Sequence, residues 1–99
     1  MKTGINMNRF ISQHDDALWR NGFHMTFDNG VTVSVQFGKH NYSDGGKTTA
    51  EVAVWDKADN WYIADDAQQD LIKVEEGSDV MGHCTPDVVA WIMDKARKL

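Results

Sequence analysis

The sequence predicts a small α+β fold: an antiparallel sheet of about four strands with a C-terminal helix packed on one face. Two observations predict it. Apolar and polar residues alternate in three stretches between residues 23 and 55, which is typical of strands with one buried face. Near the C-terminus the apolar period changes to that of a helix. The 99 residues, 41% of them hydrophobic, are predicted to form a single domain, 1–99, with one core.

The first twenty residues have the least regular pattern. Met7, Phe10 and Ile11 have the i, i+3, i+4 spacing of a short helix. Ala17-Leu18-Trp19 leads toward the first predicted strand, and Asn21-Gly22 is interpreted as a bend or bulge. This N-terminal segment, residues 1–20, lies outside the predicted sheet.

The first of two hairpins predicted within residues 23–63 is the more regular. Apolar residues occupy every second position of Phe23–Phe27 and of Val31–Phe37. Between these runs stands Asp28-Asn29-Gly30, and Asn-Gly favours a tight hairpin turn. The polar residues that alternate with the apolar ones are expected to face solvent; in the second run they are Thr32, Ser34 and Gln36.

The second hairpin joins Thr49–Trp55 to Trp61–Ile63. The first of these stretches alternates, and Asp56–Asn60 between them has the composition of a turn. Trp55 and Trp61 flank that turn, so they are expected to meet across the two strands.

The C-terminal helix is predicted over residues 86–98. Thr85 suits the N-cap, Pro86 the first helical position, and Asp87 the positive end of the helix dipole. Trp91 lies off the centre of the apolar stripe, either at the edge of the core or exposed for a partner. The stripe itself consists of Val88, Val89, Ile92, Met93, Ala96 and Leu99.

An acidic segment, residues 65–79, carries the whole charge imbalance of the chain. It contains six acids against one base, Lys73, whereas the other residues hold nine acids and nine bases, so it accounts for the net charge of −5. Within it, Leu71–Val74 is predicted to be a short strand or irregular. The six acids are Asp65, Asp66, Asp70, Glu75, Glu76 and Asp79.

Two interpretations of this segment are open. It is either a solvated loop that aids solubility or an electrostatic face for a basic protein surface, on which carboxylates take the places of nucleic-acid phosphates. A direct nucleic-acid binder needs clustered Lys and Arg, and the only such cluster, residues 95–98, suits the negative end of the helix dipole instead. No direct binding of nucleic acid is therefore expected.

Gly46-Lys47-Thr48 matches the end of a phosphate-binding loop, G-x-x-x-x-G-K-[ST]. Asn41 stands where that motif has its first glycine, and the segment that follows alternates like a strand, so no helix N-terminus would face a phosphate. We interpret residues 41–48 as a hairpin loop and expect no cofactor there.

Cys84 is the only cysteine, which favours a reducing compartment. It follows His83, but a Cys/His nucleophile needs a third group that sequence cannot place. The other histidines, His14, His24 and His40, do not pair at metal-ligand spacing. We interpret Cys84 as a core residue and His83 as a surface residue, and expect no catalytic residue and no metal site.

Three stretches of the chain carry a family resemblance. Asn29–Gly38 has the sequence NGVTVSVQFG and precedes Asn41-Tyr42, Ala50–Asp56 has the sequence AEVAVWD and precedes Trp61-Tyr62, and Val80–Val88 has the sequence VMGHCTPDV. Together they resemble a family of small accessory proteins encoded by tailed bacteriophages, in which an NG…VSVQ-G…NY hairpin precedes an AEVA-WD…WY hairpin. In that family a V-GW-TP-EV segment opens the last helix.

The resemblance covers about Phe23 to the end of the chain. It departs from the family at Cys84, which replaces a large apolar residue, and in the greater length of the acidic segment. It implies a phage origin, action in the cytoplasm of the infected bacterium, and no catalytic residues. Small non-enzymatic phage proteins often bind and block a host protein, including host defence systems, so the resemblance implies the same here by analogy.

The leading hypothesis is a phage-encoded module that binds a bacterial host protein with a basic surface and inhibits a host enzyme or anti-phage defence complex. The acidic segment, with Asn41 and Tyr42, is expected to form the contact. No membrane partner is expected, because no apolar run approaches about 18 residues. The alternatives are a small enzyme or ligand-binding domain that uses His83, Cys84 or the glycine loop, and a minor virion or assembly component. A homodimer through an unpaired sheet edge is also open.

Overall fold

The computed structural model describes residues 7–15 and 20–99, which form one antiparallel sheet and one helix. The strands are β1 (Arg9–Asp15), β2 (Arg20–Thr26), β3 (Thr32–Gln36), β4 (Ala50–Trp55), β5 (Trp61–Asp65), β6 (Asp70–Lys73) and β7 (Met81–Cys84), followed by helix α1 (Pro86–Ala96). The predicted α+β class is confirmed. The predicted number of about four strands is too small, since these residues contain seven.

Strands β1 to β6 lie side by side in chain order, and β7 pairs with β4. One side of β4 pairs with β3, and the other is shared between two strands. β5 pairs with its end at Val54 and Trp55, whereas β7 pairs with its beginning at Ala50 and Val52. Four of the six residues of β4 are buried valine or alanine, so β4 is the centre of the fold.

The Asn-Gly turn joins β2 to β3 as a three-residue loop. The Phe27 amide donates to the Val31 carbonyl at 2.8 Å, and the Gly30 amide donates back to the Phe27 carbonyl at 2.9 Å. Gly30 has φ +84°, a left-handed conformation that glycine adopts without steric cost. The first predicted hairpin is confirmed.

The second hairpin, β4–β5, is confirmed as well. The Asp56 carboxylate organises its turn, accepting hydrogen bonds from the Ala58 and Asn60 amides and from the Tyr62 hydroxyl. Trp55 and Trp61 are register partners, and their ring centroids lie 4.8 Å apart, as predicted from their flanking positions.

The N-terminal prediction is wrong in two respects. Phe10 and Ile11, two of the three residues with helical spacing, belong to β1, and Met7 precedes it. All seven residues of β1 pair with β2, from Arg9 opposite Thr26 to Asp15 opposite Arg20. Pairing with a neighbouring strand overrides the weak helical spacing, because sheet formation depends on tertiary context. Asn21-Gly22 lies inside β2 in regular register, so it is neither a bend nor a bulge. Ala17-Leu18-Trp19 lies outside the described residues.

Helix α1 begins as predicted. The Thr85 hydroxyl accepts from the Val88 amide, and Pro86 is the first helical residue. The helix ends at Ala96, two residues earlier than predicted, and Leu99 is 46% exposed rather than part of the buried stripe. Trp91 is half-buried against the core, which settles the choice between its two predicted positions.

The core lies between one face of the sheet and α1. Ile92 is completely buried at its centre, where the helix contacts β3, β4, β6 and β7. Leu71 from β6 is buried there too, and the first three residues of the segment 71–74 belong to this strand rather than to an irregular stretch. The buried residues are Val31, Val33, Val35, Ala50, Val52, Val54, Leu71, Cys84, Ile92 and Ala96.

The opposite face of the sheet, which we call the polar face, is also largely covered. Thr32, Ser34 and Gln36 are at most 7% exposed, contrary to the expectation that they face solvent. Larger neighbours in register cover them: His24 lies opposite Ser34, and Trp55 lies opposite Thr32. Edge-to-face contact between the His24 and Trp55 rings, with centroids 5.1 Å apart, completes this cover.

Candidate functional site

The acidic segment forms one edge of the sheet, which we call the acidic edge (residues 65–79). It comprises the end of β5, the β5–β6 turn, β6 itself and the connection to β7. Strand β6 is the last strand in the order of the sheet and pairs only with β5 among the described residues. The six predicted acids therefore lie together along one edge and the turns at its two ends.

The six acids differ in what their carboxylates do. Asp65 accepts from two amides of the β5–β6 turn, and Asp70 and Asp79 each accept from the amide of the following residue. These three carboxylates therefore help to shape the local backbone. The exposed Glu75 and Glu76 follow β6, which makes them the better probes of a purely electrostatic role.

Apolar side chains are exposed within and beside the acidic edge. Ile72, in the middle of β6, is 48% exposed, and Val80, just after the last acid, is 38% exposed. Tyr42 is 63% exposed and contacts β7, because its carbonyl accepts from the His83 amide at 2.8 Å. Apolar groups bordered by charge are typical of protein-binding surfaces.

Tyr42 lies near the beginning of the acidic edge. A Cβ atom added to Gly82 would lie 2.9 Å from the Tyr42 Cβ atom, so the two residues are in contact. Gly82 and His83 also line a cavity of about 190 Å³ together with Asp66. The structure thus places two of the predicted contact residues, Tyr42 and Asp66, beside the same strand, β7.

Asn41, predicted alongside Tyr42, is oriented differently. Its side-chain oxygen accepts from the Gly38 amide at 2.9 Å, and its amide nitrogen lies 3.5 Å from a Glu51 carboxylate oxygen. The other oxygen of Glu51 accepts from the Tyr42 amide at 3.0 Å. Asn41 and Glu51 therefore hold the loop in the position that exposes the Tyr42 ring.

The amides of the Gly-Lys-Thr sequence are occupied by a carboxylate of the chain itself. Asp44 accepts from the backbone amides of Lys47, Thr48 and Thr49, each at 3.0 Å, and from the Thr48 hydroxyl. In a phosphate-binding loop such amides would surround a phosphate. The strand β4 follows the loop, as the sequence predicted, so residues 41–48 connect two strands.

The hydrogen bonds from Thr48, and then those from Thr49 and Lys47, hold the pKa of Asp44 well below its ordinary value of 3.8. Since the pKa is depressed in the folded state, the charged carboxylate stabilises the loop above pH 3.8, and this contribution is lost as the pH falls below that value. The closed loop is therefore a property of the ionised Asp44.

Asp44→Ala is expected to open this loop without unfolding the sheet. Amide hydrogen exchange at Thr48 and Thr49 should accelerate by more than about fivefold at neutral pH, because both amides lose their acceptor. Exchange followed by NMR measures this directly. Ser43→Ala, which removes one acceptor of the Gly45 amide from the same loop, is the control and should leave Thr48 and Thr49 protected. Equal acceleration in both variants would contradict a special role for Asp44.

His83 and Cys84, the predicted alternative site, are placed as the sequence analysis expected. His83 is exposed and has φ +52°, whereas Cys84 is buried. Burial, assisted by the charge of Asp66, raises the pKa of the Cys84 thiol, and a protonated thiol is a poor nucleophile. The Cys84 thiol faces the carbonyls of Met81 and Gly82 at 3.6 and 3.9 Å.

A second cavity, of about 300 Å³, lies on the polar face; we call it the polar pocket. β1, β2 and β3 supply most of its lining, and the loop after β3 supplies the rest. Its lining residues are Gln13, Arg20, His24, Ser34, Gln36, His40 and Asn41. Sequence reasoning did not find it, because these residues come from four separate stretches and none of those stretches carries a motif.

Across residues 7–15 and 20–99, no three side chains of His, Cys, Asp or Glu are grouped so that they could hold a metal ion. The helix found in this part of the chain is too short to cross a membrane.

Comparison of the chain with protein-family models, with curated proteins and with solved structures gives no match.

Proposed function

We propose that the chain is a phage-encoded protein-binding module that acts in the cytoplasm of the infected bacterium and blocks a host enzyme or an anti-phage defence complex. The origin and the compartment come from the resemblance carried by the two hairpins and by the segment that opens α1. The single observation that supports the binding role is the acidic edge, which collects the net charge of the molecule on one border of the sheet.

The acidic edge suits a partner with a basic surface. Exposed charges of one sign attract the opposite sign over roughly 10 Å at moderate salt, which raises association rates. Three of the acids lie at or before the start of β6, and the other three follow its end. The length of the strand separates these two groups by about 10 Å, since a strand rises roughly 3.3 Å per residue. Carboxylates spread over this distance can occupy several positions that nucleic-acid phosphates would take on such a partner.

Charge alone gives rate and specificity more than affinity. The exposed side chains of Ile72, Val80 and Tyr42 supply apolar contact area within and beside the acids. Buried aromatic and aliphatic anchors usually account for most of the binding energy at a protein interface. The proposed contact surface is therefore the acidic edge together with Tyr42, and blocking is steric once that surface is occupied.

The test compares two charge-reversed variants. Glu75→Lys/Glu76→Lys changes the acidic edge, whereas Asp59→Lys/Asp87→Lys makes the same change in net charge on exposed residues elsewhere. Tagged protein expressed in bacteria is purified, and the co-purified proteins are quantified. A bacterial protein should be retained by the wild type and by the control, and its recovery should fall by at least about tenfold with the acidic-edge variant.

A retained protein must also meet the expectation of inhibition: its own activity should fall when the purified chain is added, and this effect should weaken as salt is raised. Equal recovery of the same proteins with both variants would remove the acidic edge from the proposed function. A partner that binds without any loss of its activity would overturn the inhibitory role.

A further inference from the structure

The polar pocket lies away from the acidic edge, with β4 and β5 between them in the order of the sheet. Its floor is held in one arrangement by hydrogen bonds. The Gln36 side chain donates to Gln13 at 2.6 Å and to Ser34 at 3.3 Å, and its oxygen accepts from the Asn21 amide at 3.2 Å. Gln36 is only 7% exposed, so this network is a fixed base rather than a solvated surface.

The walls of the polar pocket carry donors and positive charge. Arg20 and two histidines, His24 and His40, line it, and none of its lining residues is a carboxylate. This composition contrasts with the net charge of −5 of the whole chain. A guanidinium and imidazoles around one cavity form the type of donor set that binds carboxylates and phosphates.

The carboxylates nearest in register are Asp15 and Glu51. Asp15 is the cross-strand partner of Arg20, and Glu51 is the partner of Gln36. Both oxygens of Glu51 are directed at the loop, toward Asn41 and the Tyr42 amide. Neither acid lines the cavity.

Arg20 lies close enough to His24 to act on it electrostatically. Burial lowers the pKa of His24, and the positive charge of Arg20 lowers it further. The Trp55 ring, 5.1 Å from the His24 ring in an edge-to-face contact, fixes the imidazole in place.

We propose that the polar pocket binds a small oxyanion, the phosphate or carboxylate group of a small molecule, between Arg20 and His24. Arg20 supplies the charge and a planar pair of donors, and His24 and His40 supply imidazole contacts. The volume of about 300 Å³ accommodates such a group with a few further atoms attached. This binding role is independent of the acidic edge and of any protein partner.

The test is an NMR titration of the full chain with inorganic phosphate and, separately, with acetate, both at constant ionic strength. Saturable shifts are expected at the imidazole signals of His24 and His40 and at the Gln13 side-chain amide. Tighter binding of phosphate or of acetate identifies which oxyanion the pocket prefers. Shifts that stay linear with concentration, or that spread evenly over the surface with both anions, would overturn the proposal.

Matched variants locate the binding. Arg20→Gln should weaken the preferred anion by at least about tenfold, because it removes a charge-assisted pair of hydrogen bonds. Arg20→Lys retains the charge but not the planar fork, so an intermediate affinity is expected. Lys39→Gln removes the same charge from an exposed residue outside the pocket, and should change affinity by less than about twofold. Equal losses in Arg20→Gln and Lys39→Gln would show nonspecific charge attraction and overturn the site.

Discussion

Gly22→Ala is expected to destabilise the protein by about 3 kcal/mol or more, which is a large part of the total stability of a domain of this size. A Cβ atom at position 22 would lie 1.9 Å from the Val35 carbonyl oxygen and 2.9 Å from the Gln36 Cα atom. Both contacts are with backbone, so no flexible side chain can move aside. Strands β2 and β3 would have to separate, and the hydrogen bonds that join them would weaken.

Urea unfolding followed by tryptophan fluorescence measures this loss. Gly77→Ala is the control, because Gly77 has open space around it but φ +76°. That substitution introduces backbone strain alone and should cost about 1 kcal/mol. Equal losses of stability in the two variants would contradict the explanation that position 22 requires glycine because β2 and β3 approach closely there. Folded Gly22→Ala protein should also show altered signals for Gln13 and Gln36, the register partners of residue 22.

The two hairpins were predictable because their information is local. Alternation places one side of each strand in the core, and the turn residues Asn29-Gly30 and Asp56–Asn60 determine where the chain reverses. Helix α1 was predictable for the same reason, since its N-cap, its first-turn proline and its apolar stripe lie within a few residues of one another. Only its end differed: Ala96 is its last residue, and the Asn29 side chain donates to the Ala96 carbonyl from the distant β2–β3 turn.

Strands β1 and β7 could not be predicted, because pairing with a neighbouring strand, rather than a pattern in their own sequences, makes them strands. β1 consists mainly of exposed residues, and its pairing with β2 along seven positions makes it a strand. β7 is four residues long, includes His83 at positive φ, and becomes a strand only because the beginning of β4 has an open side. Neither stretch alternates over enough residues to be recognised alone.

The candidate sites were likewise only partly predictable from the sequence. The charge of the acidic edge is visible in the sequence, but its position on the last strand, with Ile72 and Val80 exposed beside it, depends on the order of the sheet. The polar pocket was missed because the alternation rule assigns Ser34 and Gln36 to solvent. Their burial follows from the size of the neighbours that the register places next to them, such as His24.

Ile92→Ala is the second substitution with a large expected effect, a loss of about 3 kcal/mol. Ile92 is completely buried, and α1 contacts β3, β4, β6 and β7 around it. Shortening this side chain removes apolar contacts with the valines of β3 and β4 and leaves a cavity that a β-sheet cannot easily close, since its strands are held by backbone hydrogen bonds. Because α1 has few other fully buried residues, its attachment to the sheet should weaken as a whole.

Ile72→Ala provides the same chemical change at a residue that is 48% exposed in β6, and it should cost less than about 1 kcal/mol. Urea unfolding of both variants measures the two losses of stability. The slope of the unfolding free energy against urea concentration should equal that of the wild type. Similar losses would mean that the helix contributes little to the core, and that the sheet is stabilised mainly by its polar face. A large difference would locate the core under α1. Ile72→Ala would then also be a folded variant with an unchanged charge, in which the contribution of an apolar side chain of the acidic edge to binding can be tested.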